Sequence, residues 1–132
     1  MFEETIKTRK RAEMTEITSR VAEIVRGSGV KDGICVVCVP HTTAGVTINE
    51  NADPDVKHDL LKKLEQLIPK HESYYQHNEG NSDSHLKTQL TGNSGMVIIE
   101  GGQLVLGTWQ GIYFCEFDGP RTREMHIKII EG

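Results

Sequence analysis

Three histidines stand where the chain leaves a strand or borders its most polar stretch: His41 directly after Pro40, and His77 and His85 on either side of NEGNSDS. Three imidazoles that leave one position open are the ligand set of a catalytic zinc, and histidine suits zinc better than magnesium. Their spacing fits no compact zinc motif, so the metal reading depends on the fold bringing them together. The alternative is three ordinary surface or hydrogen-bonded side chains. His58 and His71 fall off an apolar helical stripe and in a charged loop, and are read as solvent-facing.

The carboxylates are a second source of chemistry. Glu50, Asn51 and Asp53 form an oxygen cluster suited to a hard cation such as magnesium. Asp53 has a competing role as a helix cap, which leaves Glu50 as a ligand or base. In GIYFCEFDGPRTR, strand alternation puts Tyr113, Cys115 and Phe117 on one face and Phe114, Glu116 and Asp118 on the other. Glu116 then points into apolar surroundings, where burial raises a carboxyl pKa unless a cation or metal compensates. Asp118, beside Gly119 and Pro120, reads as a turn residue. Arg121 and Arg123 form a fork able to hold phosphate or carboxylate, with a solvated charged turn as the alternative. With Asp83 in the polar stretch, these groups all lie at strand ends or loops, where distant segments can converge. The chain contains no P-loop or dinucleotide fingerprint.

The elements that must position these groups follow from periodicity and punctuation. FEETIKTR reads as a first strand. Ile17, Val21, Ile24 and Val25 then mark a helix that Thr15 can cap and that Gly27 and Gly29 stop. GICVVCV is an apolar strand ended by Pro40, and AGVTINE is a neighbour that can pair with it as a hairpin through PHTT. Asp53 followed by Pro54 starts a helix running to about Ile68, with Val56, Leu60, Leu61, Leu64, Leu67 and Ile68 on one stripe and Pro69 as its stop. Residues 70–84 are the longest loop. HLKTQLTG is a short helix capped by Ser82 or Ser84 and closed by Gly92, and the remainder reads as an antiparallel meander with a Gly101-Gly102 turn. Strands cluster after helices instead of alternating with them, which predicts one α+β domain with two main helices and a short third.

Composition narrows the classes. At 132 residues the chain needs only one core, and a net charge of −4 lacks the positive field of non-specific nucleic-acid binding. No apolar run reaches membrane-span length. Three cysteines and no secretory signal pattern point to a reducing, cytoplasmic setting. Cys35 and Cys38 lie on opposite faces of one strand and are read as two buried core thiols, not a redox pair. Trp109, the only tryptophan, reads as packed in the core or against a second subunit.

PHTTAGVTINENADPD, HNEGNSDSHLK and LVLGTWQGIYFCEFDGPRTR, in that order, resemble the YjbQ-like family of small proteins across nearly the whole chain. The resemblance implies an α+β homotrimer with a thiamine phosphate synthase activity, joining a pyrimidine pyrophosphate to a thiazole phosphate. It carries the family's polar positions onto His41, Thr42, Glu50, His77, Asp83, His85, Trp109, Gln110, Glu116, Arg121 and Arg123.

Three readings stay open. In a transferase, a divalent metal and Arg121, Arg123 or Lys87 neutralise departing pyrophosphate, with Thr42 and Gln110 on the phosphorylated substrate. In a hydrolase, His41, His77 and His85 hold zinc, with Glu116 or Glu50 as base. In a binding module, the same pocket holds a small anion without turnover.

Overall fold

The computed structural model describes residues 1–132 and resolves the chain into eight strands and three helices. In chain order these are β1 Phe2–Lys7, β2 Glu13–Glu16, α1 Thr18–Ser28, β3 Gly33–Cys38, β4 Ala44–Glu50, α2 Pro54–Leu67, α3 Ser82–Thr91, β5 Ser94–Glu100, β6 Gln103–Leu104, β7 Gln110–Glu116 and β8 Thr122–Glu131. The strands make two antiparallel sheets, a five-stranded one in the order β1-β8-β3-β5-β6 and a three-stranded one in the order β2-β7-β4. This is the single α+β domain the element order predicts.

Strand alternation builds the core between the sheets. Cys35, Val37, Val97, Ile99, Met125 and Ile127 from the larger sheet meet Ala44, Val46, Ile112 and Phe114 from the smaller one, and Val21 and Val25 of α1 close the side. The outward face of β7 buries Tyr113 and Cys115, continued by Phe117 just past its end, with Met14 of β2, beneath Leu60, Leu61 and Leu64 of α2. Burial of each such side chain contributes roughly 1.5–3 kcal/mol.

The topology differs from the sequence reading in two ways. β3 and β4 do not form a hairpin: β3 pairs with β5 and β8, whereas β4 pairs with β7. PHTT is therefore a crossover between sheets. The C-terminal strands are not one meander either, because β7 belongs to the smaller sheet and β8 returns to the larger one. In both places a short polar link reads as a tight turn, yet each flanking strand gains more apolar burial in a different sheet.

Helix boundaries show the same override of local signals. Asp53 caps α2 as expected, accepting from the Asp55 amide at 2.9 Å with Pro54 in the first turn. Thr15 does not cap α1; it lies in β2, opposite Phe114. Neither Ser82 nor Ser84 caps α3. Its cap position is Asn81, without a side-chain cap bond, while Ser84 Oγ donates to the Phe117 carbonyl. Gly92 closes α3 by donating to Thr88 O. Gly45 explains how closely α3 seats on β4: a Cβ there would lie 2.2 Å from Gly92 O. Leu67, counted on the apolar stripe of α2, is the last residue of that helix and is 60% exposed.

Cys35 and Cys38 do face opposite ways, but only Cys35 is buried; Cys38 is exposed and all three cysteines are free. Burial pushes the Cys35 thiol up to about 11 and that of Cys115 to about 12. In native protein at pH 8, Cys35 and Cys115 are expected to resist a bulky thiol reagent until the chain unfolds, whereas Cys38 is open to it in the single chain. Peptide mapping checks this, and rapid modification of Cys35 would contradict the register of β3.

Candidate functional site

The links between the sheets carry the polar residues, and one buried ion pair joins them. Glu116, at the end of β7, and Arg123, in β8, are 0% and 3% exposed. Arg123 Nε donates to Glu116 Oε1 at 2.8 Å, and its NH2 donates to Thr43 Oγ1 at 2.8 Å. Thr8, just after β1, donates to Glu116 Oε1 at 2.7 Å, and the Asp118 amide donates to Oε2 at 3.0 Å. Burial alone would raise the Glu116 pKa. The Arg123 bonds, the Asp118 amide and the Thr8 hydroxyl together outweigh it and hold the carboxyl below its ordinary value. Gly119 permits this closure, since a Cβ there would sit 2.3 Å from Lys10 O and 2.8 Å from Glu116 Cγ.

His41 rests against this pair. Its Nε2 accepts the Glu124 amide at 2.9 Å, which places the ring proton on Nδ1. Burial, then the charge of Arg123, pulls the imidazole below its ordinary value despite the nearby carboxylates, so it is neutral at pH 7. His41 and Thr42 form one wall of a polar cavity of about 450 Å³, and His85, Thr88 and Gln89 of α3 form the other. His85 also lines the next depression along the surface, with His77, Tyr74 and Tyr75. The His77 and His85 rings meet edge to face with centroids 5.3 Å apart. The three histidines thus lie along one trough with His85 in the middle. No set of three His, Cys, Asp or Glu side chains within the chain closes tightly enough to hold a metal ion.

Other candidates are placed elsewhere. Glu50 and Gln110 pair at the far end of the β4–β7 ladder from Ala44 and Glu116, a separation of roughly 20 Å along the strands. Glu50 Oε2 accepts the Ala52 amide, and Gln110 Oε1 accepts the Gly107 amide. Trp109 is 62% exposed beside them and is not a core residue. Arg121 lies in the β7–β8 link, paired with Asp118, whose other contact is the Asn81 amide group. His58 is exposed and paired with Asp59, and His71 is exposed.

Asp83 and Lys87 occupy the opposite face of α3 from His85 and Gln89, as their offset along the helix requires. Asp83 is fully buried and accepts from Arg11 through both oxygens, each at 3.0 Å, and from Lys87 Nζ at 3.0 Å. Burial opposes its ionisation, but the bonds from Arg11 and Lys87 prevail and bring its pKa down to about 2. Arg11 was missed by sequence reasoning. It sits in a run of charged residues, RKR, that offers no signal of its pairing with Asp83.

Comparison with known proteins is consistent with this architecture. Residues 3–132 match the family described as UPF0047 protein YjbQ-like. The chain belongs to that family. It is 56% identical to a UPF0047 protein of Methanocaldococcus jannaschii over 98% of this chain and 94% of that one. The corresponding figures for the Bacillus subtilis UPF0047 protein YugU are 52%, 95% and 95%. Among solved structures, a YjbQ/UPF0047 family protein of Clostridium acetobutylicum superposes with a TM-score of 0.96 at 54% identity, covering 98% of this chain and 100% of that one. A YjbQ-like protein of Sulfolobus solfataricus superposes at 0.94 with 33% identity, covering 99% and 96%. The UPF0047 fold therefore persists where two thirds of the residues differ.

Removing one partner of a buried ion pair leaves an uncompensated charge. Arg123→Met is therefore expected to destabilise this UPF0047 chain by about 3–5 kcal/mol in urea denaturation. Glu116 and Asp83 both have depressed pKa values, so the stability they contribute is complete above the unfolded carboxylate value near 4. It is lost as pH falls towards about 2. The urea midpoint should drop steeply below about pH 4, and Asp83→Asn should flatten that drop while lowering stability at neutral pH.

Proposed function

We propose that the trough of His41, His85 and His77 is a metal-assisted site acting on a small phosphorylated molecule. The observation that carries this reading is the His77–His85 pair. Two imidazoles bound to one tetrahedral zinc, with Zn–N near 2.0–2.1 Å, have ring centroids roughly 5 Å apart, close to the separation found here. His41 faces the same cavity as His85, and would become a third donor only by releasing the Glu124 amide from Nε2, the one nitrogen of its neutral ring with a lone pair. A divalent ion held there would supply an ionised water at neutral pH and charge stabilisation at a phosphoryl oxygen.

The chain's own groups contribute orientation and hydrogen bonding. Thr42, Thr88, Gln89 and Asn93 offer neutral donors around the cavity. Glu116, fully buried and held by Arg123, is a positioning residue: it fixes the link that carries His41 and does not reach substrate. Glu50, at the other end of the ladder, is too distant to be the base.

Thiamine phosphate synthase activity is the second reading, carried by the sequence motifs. Its difficulty is the supply of cations for pyrophosphate in the trough: Arg123 is committed to a buried pair, Arg121 is bound to Asp118 outside the trough, and Lys87 lines the cavity on the other side of α3. The two readings separate experimentally. Protein purified without nickel resin is expected to carry zinc near stoichiometry and to lose most of it in His85→Ala; metal-free native protein with unchanged folding would reject the metal site. Labelled pyrimidine pyrophosphate and thiazole phosphate with magnesium test the synthase reading, which fails if synthase-free protein yields no labelled thiamine phosphate.

We also propose that the chain assembles as a trimer through the outer face of the larger sheet. Ile98, Ile34 and Ile130 lie side by side in register there, with Met96 adjoining. Met96 and Ile98 are more than 60% exposed in the single chain, and such an apolar patch favours association. Light scattering should give three times the chain mass for the native protein and a smaller mass for Ile98→Glu. A native monomer at micromolar concentration would overturn the trimer.

A further inference from the structure

A second cavity, on the other side of α3, has a different chemistry from the trough. It measures about 580 Å³ and lies between α2 and α3. That volume is in the range of a small organic ligand. Since successive residues of a helix turn by about 100°, Asp83 and Lys87 face this cavity, whereas His85 and Gln89 face the trough.

The floor is charged: Asp83 and Lys87 are closed to solvent, and the Arg11 side chain beside them is one third exposed. Lys87 is 4% exposed, and its ammonium, with three protons to donate, finds one acceptor in the chain, Asp83 Oδ2. The same oxygen also accepts from Arg11 NH1, so two cations share one carboxylate. Asp118 adds attraction at Arg11, but its own carboxylate is bonded to Arg121 and Asn81. A net positive charge is left at the base of a partly apolar cavity, where low dielectric makes an uncompensated charge costly. At the rim, Lys62 and Lys70 add two cations, against Glu65 as the only carboxylate and His58 as a further polar group. The walls are the opposite in character: Leu61 and Leu64 from α2, and Phe117 beyond the end of β7.

We propose that this cavity is a binding site for a small organic anion, a phosphate or carboxylate head on an apolar ring or chain, separate from the histidine trough. The head group pairs with Lys87 and Arg11, and the apolar body lies against Leu61, Leu64 and Phe117. Both features are needed: the charge selects an anion over a neutral molecule, and the leucine wall selects an organic anion over inorganic phosphate. This inference does not rest on the metal reading of the trough.

Phenyl phosphate is a suitable probe, with inorganic phosphate and phenol as its two halves. Calorimetric titration of the full chain is expected to show phenyl phosphate binding at least tenfold tighter than either half, with shifts of the Leu61 and Leu64 methyl resonances. The rim variant Lys62→Glu with Lys70→Glu changes only exposed side chains and should weaken binding at least tenfold while leaving the thermal melt unchanged. His85→Ala should leave the affinity unaltered. Lys87→Met tests the floor directly if it folds, and the rim variant decides the matter if it does not. Equal affinity for phenyl phosphate and inorganic phosphate would overturn the proposal, as would binding that survives the rim variant but is lost in His85→Ala.

Discussion

The Glu116–Arg123 pair is the interaction on which the arrangement of polar residues depends. Glu116 ends a strand of the smaller sheet and Arg123 lies near the start of a strand in the larger one. Their bonds reach Thr8 after β1 and Thr43 before β4, so four separate segments are tied at one point in the interior. A buried ion pair of this kind gives little net stability over a well-packed apolar substitute. What it supplies is geometry. Its two charges need every bond they make, so the links between the sheets have few alternative positions. His41, two residues before Thr43, lies outside this network and takes its orientation from the next amide of β8.

α3 is the second organising element, and its sequence is polar enough to conceal that role. Buried residues of this helix include Asp83, Ser84, Lys87 and Thr88, none of them hydrophobic. It stays in place through specific bonds: Ser84 to the Phe117 carbonyl, Asp83 to Arg11, and the Gly92 carbonyl to the Val46 amide. A helix held by hydrogen bonds can present a polar side chain on either face. One face gives the histidine trough its central ligand candidate, and the other forms the cationic floor beneath α2. The two cavities share a wall, but their chemistry is set by side chains pointing in opposite directions.

Apolar periodicity and helix punctuation were readable because they reflect short-range physics. The stripe of α2, its Asp53–Pro54 start, the opposed faces of β3 and β7, and the α+β class all depend on residues a few positions apart. The misreadings share a cause. Thr15 and Ser84 are good capping residues by type, yet one pairs in a strand and the other bonds a distant carbonyl. Local propensity for a cap is about 1 kcal/mol, whereas leaving a buried polar group without its partner costs about 1–3 kcal/mol.

By itself the sequence determined which residues have usable chemistry, that the chain makes one α+β domain, and that its motifs resemble the YjbQ-like family. Tertiary structure alone decided which of those residues meet. His41 and His85 are 44 positions apart and line one cavity, whereas Glu50, only nine positions from His41, lies at the other end of a seven-residue strand. Glu116 could have been an acid, a base or a ligand until the position of Arg123 made it the fixed anion of a buried pair. The physical reason is that electrostatic roles depend on distance and burial. In this chain both are set by repeated crossings between the two sheets, which local periodicity does not encode.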